Sequence, residues 1–281
     1  MATRGQGLPL RGTTALITGA AGLMGGHLAE VFIGRGANVV LADVSGDAVR
    51  KRAEGLAGRG VRVEALECDL GDADEVESLV ERAGELLAPV DVLVNNAYIE
   101  ATSRFDSLSR EELDAQLAVN IGAPLRLART ALLGMRERGR GHIVNMASLT
   151  GKLAFAYKAH YSVSKAGLIA FSHALARELA DDPIGVTVIC PALILEGGVS
   201  EKATEAGVDM PRFMATCHPR QVAEAAADGV EQGRTEIVVS NRPTGLLAGL
   251  QAAAPSAAWR VLQATGNAQY WAQLAKSRGR G

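Results

Sequence analysis

The sequence predicts an α/β domain built on a doubly wound parallel sheet, and three observations carry that prediction. Apolar strand-like runs alternate with amphipathic helical segments along most of the 281 residues. The strands are apolar nearly throughout, as expected where helices cover both faces of a parallel sheet. A glycine-rich turn, Gly19-Ala20-Ala21-Gly22-Leu23-Met24-Gly25-Gly26, joins the first strand to the first helix. Glycines let that turn bend sharply and bring backbone amides close to a pyrophosphate, whose charge the helix start favours.

The elements follow in order. Thr14-Ala15-Leu16-Ile17-Thr18 reads as the first strand, and a helix is expected from His27. The apolar run 38–42 is a second strand ending at Asp43, about where a dinucleotide fold places an acid on the adenosine ribose. The bland reading of Asp43 is a cap on the turn that follows. Strand 61–68 leads through Cys68 into Asp69-Leu70, helix 74–87 follows, and Val90-Asp91-Val92-Leu93-Val94 is a strand running into Asn95-Asn96-Ala97. A long helical stretch, 110–138, carries Asn120. Then come strand 141–147 ending at Ser148, a helix from Tyr161 to about 180, strand 185–190, helix 221–231 and strand 235–240. No linker, repeat or low-complexity tract divides the chain. One domain over residues 1–242 is therefore expected, with a helical extension over 243–281.

Composition excludes several classes of function. A net charge of −2 with dispersed basic residues gives no footprint for nucleic acid or an anionic membrane surface. No apolar run approaches the ~18 residues that span a bilayer, and the start, Met1-Ala2-Thr3-Arg4-Gly5-Gln6-Gly7, has no signal-peptide core, so the expected compartment is the cytoplasm. Cys68, Cys190 and Cys217 have neither metal-ligand spacing nor an even count for disulfides. The five histidines are dispersed, which leaves no expected metal site.

The chemistry-bearing motif is Tyr161-Ser162-Val163-Ser164-Lys165, preceded by Ser148 at the end of a strand. Four residues apart on a helix, Tyr161 and Lys165 share a face, so an ammonium can sit beside a phenol. A phenol with pKa near 10 needs a shift of roughly 3 units, about 4 kcal/mol, to act as a base near neutrality. Coulomb's law gives about 4 kcal/mol for unit charges at ~4 Å and an effective dielectric of ~20, before desolvation works against it. Taken alone the spacing is an ordinary amphipathic pair; Ser148 and the glycine turn give it context.

With these motifs, the chain resembles the short-chain dehydrogenase/reductase family, in its single-domain branch, over roughly residues 10–242. The resemblance implies a Rossmann-type fold binding NAD and a Ser-Tyr-Lys-Asn tetrad. Tyr161 would be the general acid/base, Lys165 would lower its pKa and bind the nicotinamide ribose, and Ser148 would hold the substrate oxygen. Asn120 would open its helix locally and anchor a water relay to the lysine. Cofactor contacts would come from Gly19, Gly22, Leu23, Met24, Asp43, Cys68, Asp69, Leu70, Asn96, Ala97, Tyr161, Lys165, Pro191 and Ile194. The implied substrate is a secondary alcohol or ketone. Tyr98, Ile99, Leu149, Leu153, Phe155, Leu193, Met210, Phe213 and Met214 are the expected lining, which suggests a bulky, apolar molecule. Family members commonly pair through helices 110–138 and 159–180, so a homodimer or homotetramer is expected. The stripe Phe171, Leu175, Leu179 suits either such an interface or the subunit core.

Several residues depart from the family pattern. The middle glycine of Thr18-Gly19-Ala20-Ala21-Gly22-Leu23-Met24-Gly25 is displaced by one, a spacing more typical of the extended, sugar-nucleotide branch. Tyr98 replaces a glycine, and Glu196 stands where a threonine usually approaches the cofactor. A carboxylate there would be repelled by pyrophosphate, so Glu196 must point away or its loop must take another path. These departures motivate two alternatives: a nucleotide-sugar epimerase or dehydratase, and a non-catalytic dinucleotide-sensing protein. Past Asn241-Arg242-Pro243 the segments 244–253 and 256–270 read as two amphipathic helices that pack on the subunit or its neighbour, or close over the substrate pocket. The end, Lys276-Ser277-Arg278-Gly279-Arg280-Gly281, reads as a frayed tail.

Overall fold

The computed structural model describes residues 6–278, so the extreme ends, including the last three residues of the expected tail, lie outside the described residues. In chain order the elements are β1 (Thr14–Thr18), α1 (Leu23–Gly34), β2 (Asn38–Asp43), α2 (Gly46–Leu56), β3 (Val63–Glu67), α3 (Ala73–Leu86), β4 (Val92–Asn95), α4 (Arg110–Leu117), α5 (Ala123–Arg138), β5 (Gly141–Met146) and α6 (Ala159–Glu178). They continue with β6 (Ile184–Pro191), β7 (Leu193–Ile194), α7 (Gly198–Glu205), β8 (Thr216–Cys217), α8 (Pro219–Gln232), β9 (Glu236–Val239), α9 (Gly245–Ala253), α10 (Pro255–Ala264) and α11 (Asn267–Arg278). Seven strands form one parallel sheet in the order β3-β2-β1-β4-β5-β6-β9, while β7 and β8 make a small separate pair.

Strand order reverses between β1 and β4, which open sheets use as the crevice for a ligand. One apolar cluster packs α1 and α8 against one face of the sheet through Leu28, Phe32, Val222 and Val230. Another packs α3, α5 and the end of α6 against the opposite face through Leu79, Leu127, Met135 and Leu175. β1, β5 and β6 are buried along their whole length, as their apolar composition requires.

Four elements differ from the sequence reading. Helix α1 begins at Leu23 rather than His27, because Gly22 takes an extended cap conformation and the next glycines enter the first turn. Gly25 belongs there on packing grounds: a Cβ on it would lie 2.4 Å from the Gly19 carbonyl oxygen and 2.5 Å from Ala20 Cα. The stretch 110–138 is not one continuous helix but is interrupted by a π-helical turn, Ala118–Gly122, at the Asn120 position where the family resemblance implied a local opening. Pro124 explains the break, since it has no N–H to offer the Asn120 carbonyl four residues earlier. Helix α7 occupies part of 197–217, which had no regular pattern. The segment 256–270 is divided by Gly266, in the left-handed region at φ 79°, so α10 ends there and α11 continues through Arg278 where a frayed tail was expected.

Candidate active site

The glycine turn is anchored from both neighbouring strands. Thr18 Oγ accepts from the backbone N–H groups of Asn96 (3.0 Å) and Ala97 (3.2 Å), and Asn96 Nδ2 donates to the Thr18 carbonyl at 2.8 Å. Gly19 sits at φ 64°, with Ala97 so close that a Cβ would meet its Cα at 2.7 Å. Only glycine fits both constraints. Asp43 Oδ2 accepts from Ala21 N at 2.9 Å, and Oδ1 accepts from Ser45 N at 3.0 Å, so the acid ties the turn to β2 and also caps its own turn.

Around this turn the chain encloses one cleft of about 710 Å³. Gly19, Gly22, Leu23, Met24, Asp43, Cys68, Asp69, Leu70, Asn96, Ala97, Ser148, Tyr161, Lys165, Pro191 and Ile194 all border it. Asn120 does not; it lies behind the wall, 1% exposed. Its Oδ1 accepts from Ile99 N at 2.7 Å, while its Nδ2 donates to Ile99 O at 2.8 Å and to Ser164 Oγ at 3.4 Å. The two hydrogen bonds to the Ile99 backbone fix the segment after β4, and the bond to Ser164 ties it to α6.

The lining fits a dinucleotide. The start of α1 carries no side-chain cap, and a Cβ on Gly22 would meet only the Gly19 carbonyl oxygen, at 3.5 Å, so the turn leaves room for an anion at the positive end of the helix dipole. Asp43 borders the same cleft one strand away, and Asn96 and Ala97 stand at the β4 end.

At the other end Ser148 terminates the chain run from β5, and the short turn Leu149–Gly151 folds it back against α6. Close approach sets the spacing: a Cβ on Gly151 would lie 2.7 Å from the Lys165 carbonyl carbon. Helix α6 is itself keyed to the sheet by buried polar contacts that the sequence reading missed. Asn95 Nδ2 donates to Asn145 Oδ1 (2.8 Å), Asn145 Nδ2 to Ser172 Oγ (2.8 Å), and Ser172 Oγ to Leu168 O (2.7 Å). A buried hydrogen-bonded chain of this kind ties α6 to β4 and β5.

The electrostatics differ from the two-charge arithmetic. Burial pushes the Tyr161 phenol well above its usual 10, helped by Tyr98 and Glu100, while the Ser148 hydroxyl pulls it down. Burial also pulls the Lys165 ammonium down to about 8. Lys165 Nζ donates to the Met146 carbonyl at 2.7 Å and lies 5.6 Å from the centre of the Tyr161 ring, rather than pointing at the phenol alone. Desolvation of both groups outweighs their attraction.

Tyr98, Ile99, Leu149, Leu153, Phe155, Leu193, Phe213 and Met214 border the cleft; Met210 does not. The Tyr98 ring stands 6.2 Å from that of Tyr161. Glu196 has φ 71° and begins a run of three positive-φ residues with Gly197 and Gly198; it still borders the cleft, and its carboxylate lies 3.4 Å from His218 Nδ1. Helix α11 contributes Trp271, packed on Phe155 with ring centres 5.9 Å apart and on Tyr270 edge-on at 4.9 Å. Thus the extension packs on its own subunit and walls the cleft. The sequence reading also missed Glu100 and Lys158, a buried ion pair on the same wall. Lys158 is three residues before Tyr161, but nothing local identifies a partner 58 positions away.

A doubly wound sheet with a dinucleotide crevice at its switch point and a Ser-Tyr-Lys cluster beside it defines a nucleotide-dependent oxidoreductase. The family model described as short chain dehydrogenase matches residues 13–206, and the chain belongs to that family. It is 32% identical to the ketoacyl reductase HetN of Nostoc sp. over 234 residues, 83% of this chain and 80% of that one. It is also 32% identical to a D-beta-hydroxybutyrate dehydrogenase of Cupriavidus necator over 239 residues, 84% of this chain and 85% of the relative. Among solved structures, a metagenomic short-chain oxidoreductase in complex with NADP superposes with a TM-score of 0.70 at 28% identity, over 83% of this chain and 98% of that one.

Proposed function

We propose that the protein is an NAD-dependent oxidoreductase that interconverts a bulky, apolar secondary alcohol and its ketone. The observation that carries this reading is the placement of Ser148, Tyr161 and Lys165 at the end of the dinucleotide cleft walled by Leu149, Leu153, Phe155, Leu193, Met214 and Trp271. When bound, the nicotinamide supplies the carbon that gives or takes hydride. Ser148 donates a hydrogen bond to the substrate oxygen and orients it. Tyr161, held protonated by burial, gives its proton to the carbonyl oxygen during reduction and recovers one from the hydroxyl during oxidation. Lys165 stabilises the phenolate that forms. Asn120 acts behind the wall, holding Ile99 and hence the lining segment.

Asp43 supports NAD over NADP: its carboxylate borders the cleft, accepts from ribose-type hydroxyls and repels a 2′-phosphate. That the structural neighbour holds NADP makes this the point most in need of direct measurement. Exposed Leu117, Leu125, Leu133 and Val163 on α4, α5 and α6 support a homodimer or homotetramer formed through those helices. Among the described residues no helix is long and apolar enough to cross a membrane. The three cysteines are free and buried, which suits the reducing cytoplasm.

The deciding experiment is a panel of secondary alcohols and ketones followed through NADH absorbance, with Tyr161→Phe alongside. The Phe variant is expected to lose at least ~100-fold in turnover while keeping its affinity for NADH. Near-parental turnover would refute the proton-transfer role of Tyr161.

A further inference from the structure

The wall beside Tyr161 carries two charges that the reaction itself does not use. Glu100, five residues past the end of β4, and Lys158, just before α6, form an ion pair whose side chains are 8% and 3% exposed. Both border the substrate end of the cleft. Thr102 Oγ donates a further bond to Glu100 Oε1 at 2.8 Å. The Lys158 ammonium lies 5.7 Å from the centre of the Tyr161 ring and 4.4 Å from that of Trp271. It therefore stands beside the Tyr161 ring, with Trp271 of α11 packed over it.

A lone ammonium in this position would attract a carboxylate one or two carbons from the reacting carbonyl. Here Glu100 already occupies it. The other cations bordering the cleft are committed too: Lys165 donates to Met146 O, and Arg242 donates to Arg212 O at 2.7 Å and to Met214 O at 3.4 Å while lying over Phe213. An oxo acid that brought its carboxylate to this wall would face the nearly buried Glu100, where like charges are strongly disfavoured. A neutral ketone, ester or thioester meets a pair that is already compensated, next to apolar Phe155 and Trp271.

We propose that Glu100 is a specificity-determining residue: by pairing with Lys158 it neutralises the wall beside Tyr161, so the enzyme takes uncharged ketones and rejects the corresponding oxo acids. The proposal rests on the oxidoreductase reading above, and it names the substrate class that reading leaves open. It also predicts a latent acid site, because Glu100→Gln keeps the shape and removes only the competing charge.

The test uses a 3-oxo acid of the chain length the ketone panel favours, together with its methyl ester. The full-length enzyme is expected to prefer the ester by at least ~10-fold in kcat/KM, and Glu100→Gln to shift that ratio at least ~10-fold toward the acid. In Glu100→Gln/Lys158→Met the shift should disappear, since the attracting ammonium is gone. Replacing both partners also guards against a folding failure, because uncharged substitutes for a buried pair are tolerated far better than one orphaned charge. A second readout needs no turnover: calorimetric titration of butyrate into the NAD-loaded protein should show at least ~10-fold tighter binding to Glu100→Gln than to the parent, lost again in the double variant. An unshifted ratio with unchanged butyrate affinity, or a parent enzyme that already prefers the acid, overturns the proposal. If the parent turns over nothing on the panel, the oxidoreductase reading falls, while the butyrate titration still decides the role of Glu100.

Discussion

Replacing Lys165 by Met should change the pH dependence of stability in a defined window. The ammonium is buried and its pKa is pulled from 10.5 to about 8 in the folded protein, chiefly by desolvation. Below pH 8 the lysine is charged in both folded and unfolded chains, so it contributes no slope. Between pH 8 and 10.5 the unfolded chain holds a proton that the folded protein has released, and stability rises with pH. A shift of about 2.5 units at 1.36 kcal/mol each makes the wild type gain about 3 kcal/mol over that window, relative to Lys165→Met. The hydrogen bond to Met146 O is lost in the variant at every pH, so it offsets the two curves without altering their difference in slope. Urea midpoints of the cofactor-free proteins at half-unit steps from pH 7 to 10.5 give the comparison, with other groups titrating alike in both. Parallel curves would refute the claim that burial of Lys165 dominates its titration.

Asp43 should set cofactor preference: at least ~10-fold in kcat/KM for NAD(H), about 1.4 kcal/mol, falling in Asp43→Ala. Equal use of the two cofactors, or preference for NADP(H), would show that Asp43 serves only its bonds to Ala21 and Ser45. Gly25→Ala would force a Cβ to within 2.4 Å of Gly19 O, displace the turn, and weaken NADH binding by at least ~10-fold, as read by fluorescence titration; unchanged affinity would mean the turn yields without consequence. Light scattering at micromolar concentration should return a dimer or tetramer mass, and a monomer mass would remove α4, α5 and α6 as an interface.

The sequence made the sheet and the cleft legible because both depend on local pattern. Apolar runs marked the strands, Gly19 and Gly22 marked the turn, and Tyr161 and Lys165 fell on one helix face by spacing alone. What escaped depended on contacts between distant residues. The Asn95–Asn145–Ser172 chain joins three elements, and each residue alone is an ordinary polar side chain. Glu100 and Lys158 likewise gain meaning only when α6 comes to rest beside the segment after β4. The resemblance placed the break in 110–138 at Asn120, and two further signals lay in the sequence itself. Pro124 inside the stretch 110–138 marked the break that the structure resolves as a π turn, and Gly266 inside the C-terminal pattern marked the boundary between α10 and α11.

Burial around Tyr161 favours one protonation state of the site. A solvent-exposed Tyr-Lys pair would gain little from its attraction, whereas here the same desolvation that draws Lys165 down to about 8 raises the phenol. At pH 7, one unit below its pKa, Lys165 is about nine-tenths charged, and Tyr161 keeps its proton. The cofactor-free site thus rests in the form that reduction consumes, with a proton on the phenol and a cation close enough to receive the phenolate. In the proposed mechanism, oxidation begins by removing that phenolic proton against burial. If Tyr161 is the proton donor proposed above, reduction should be the faster direction near neutral pH, and oxidation should gain relative to reduction as pH rises, as read from initial rates in both directions from pH 6 to 10.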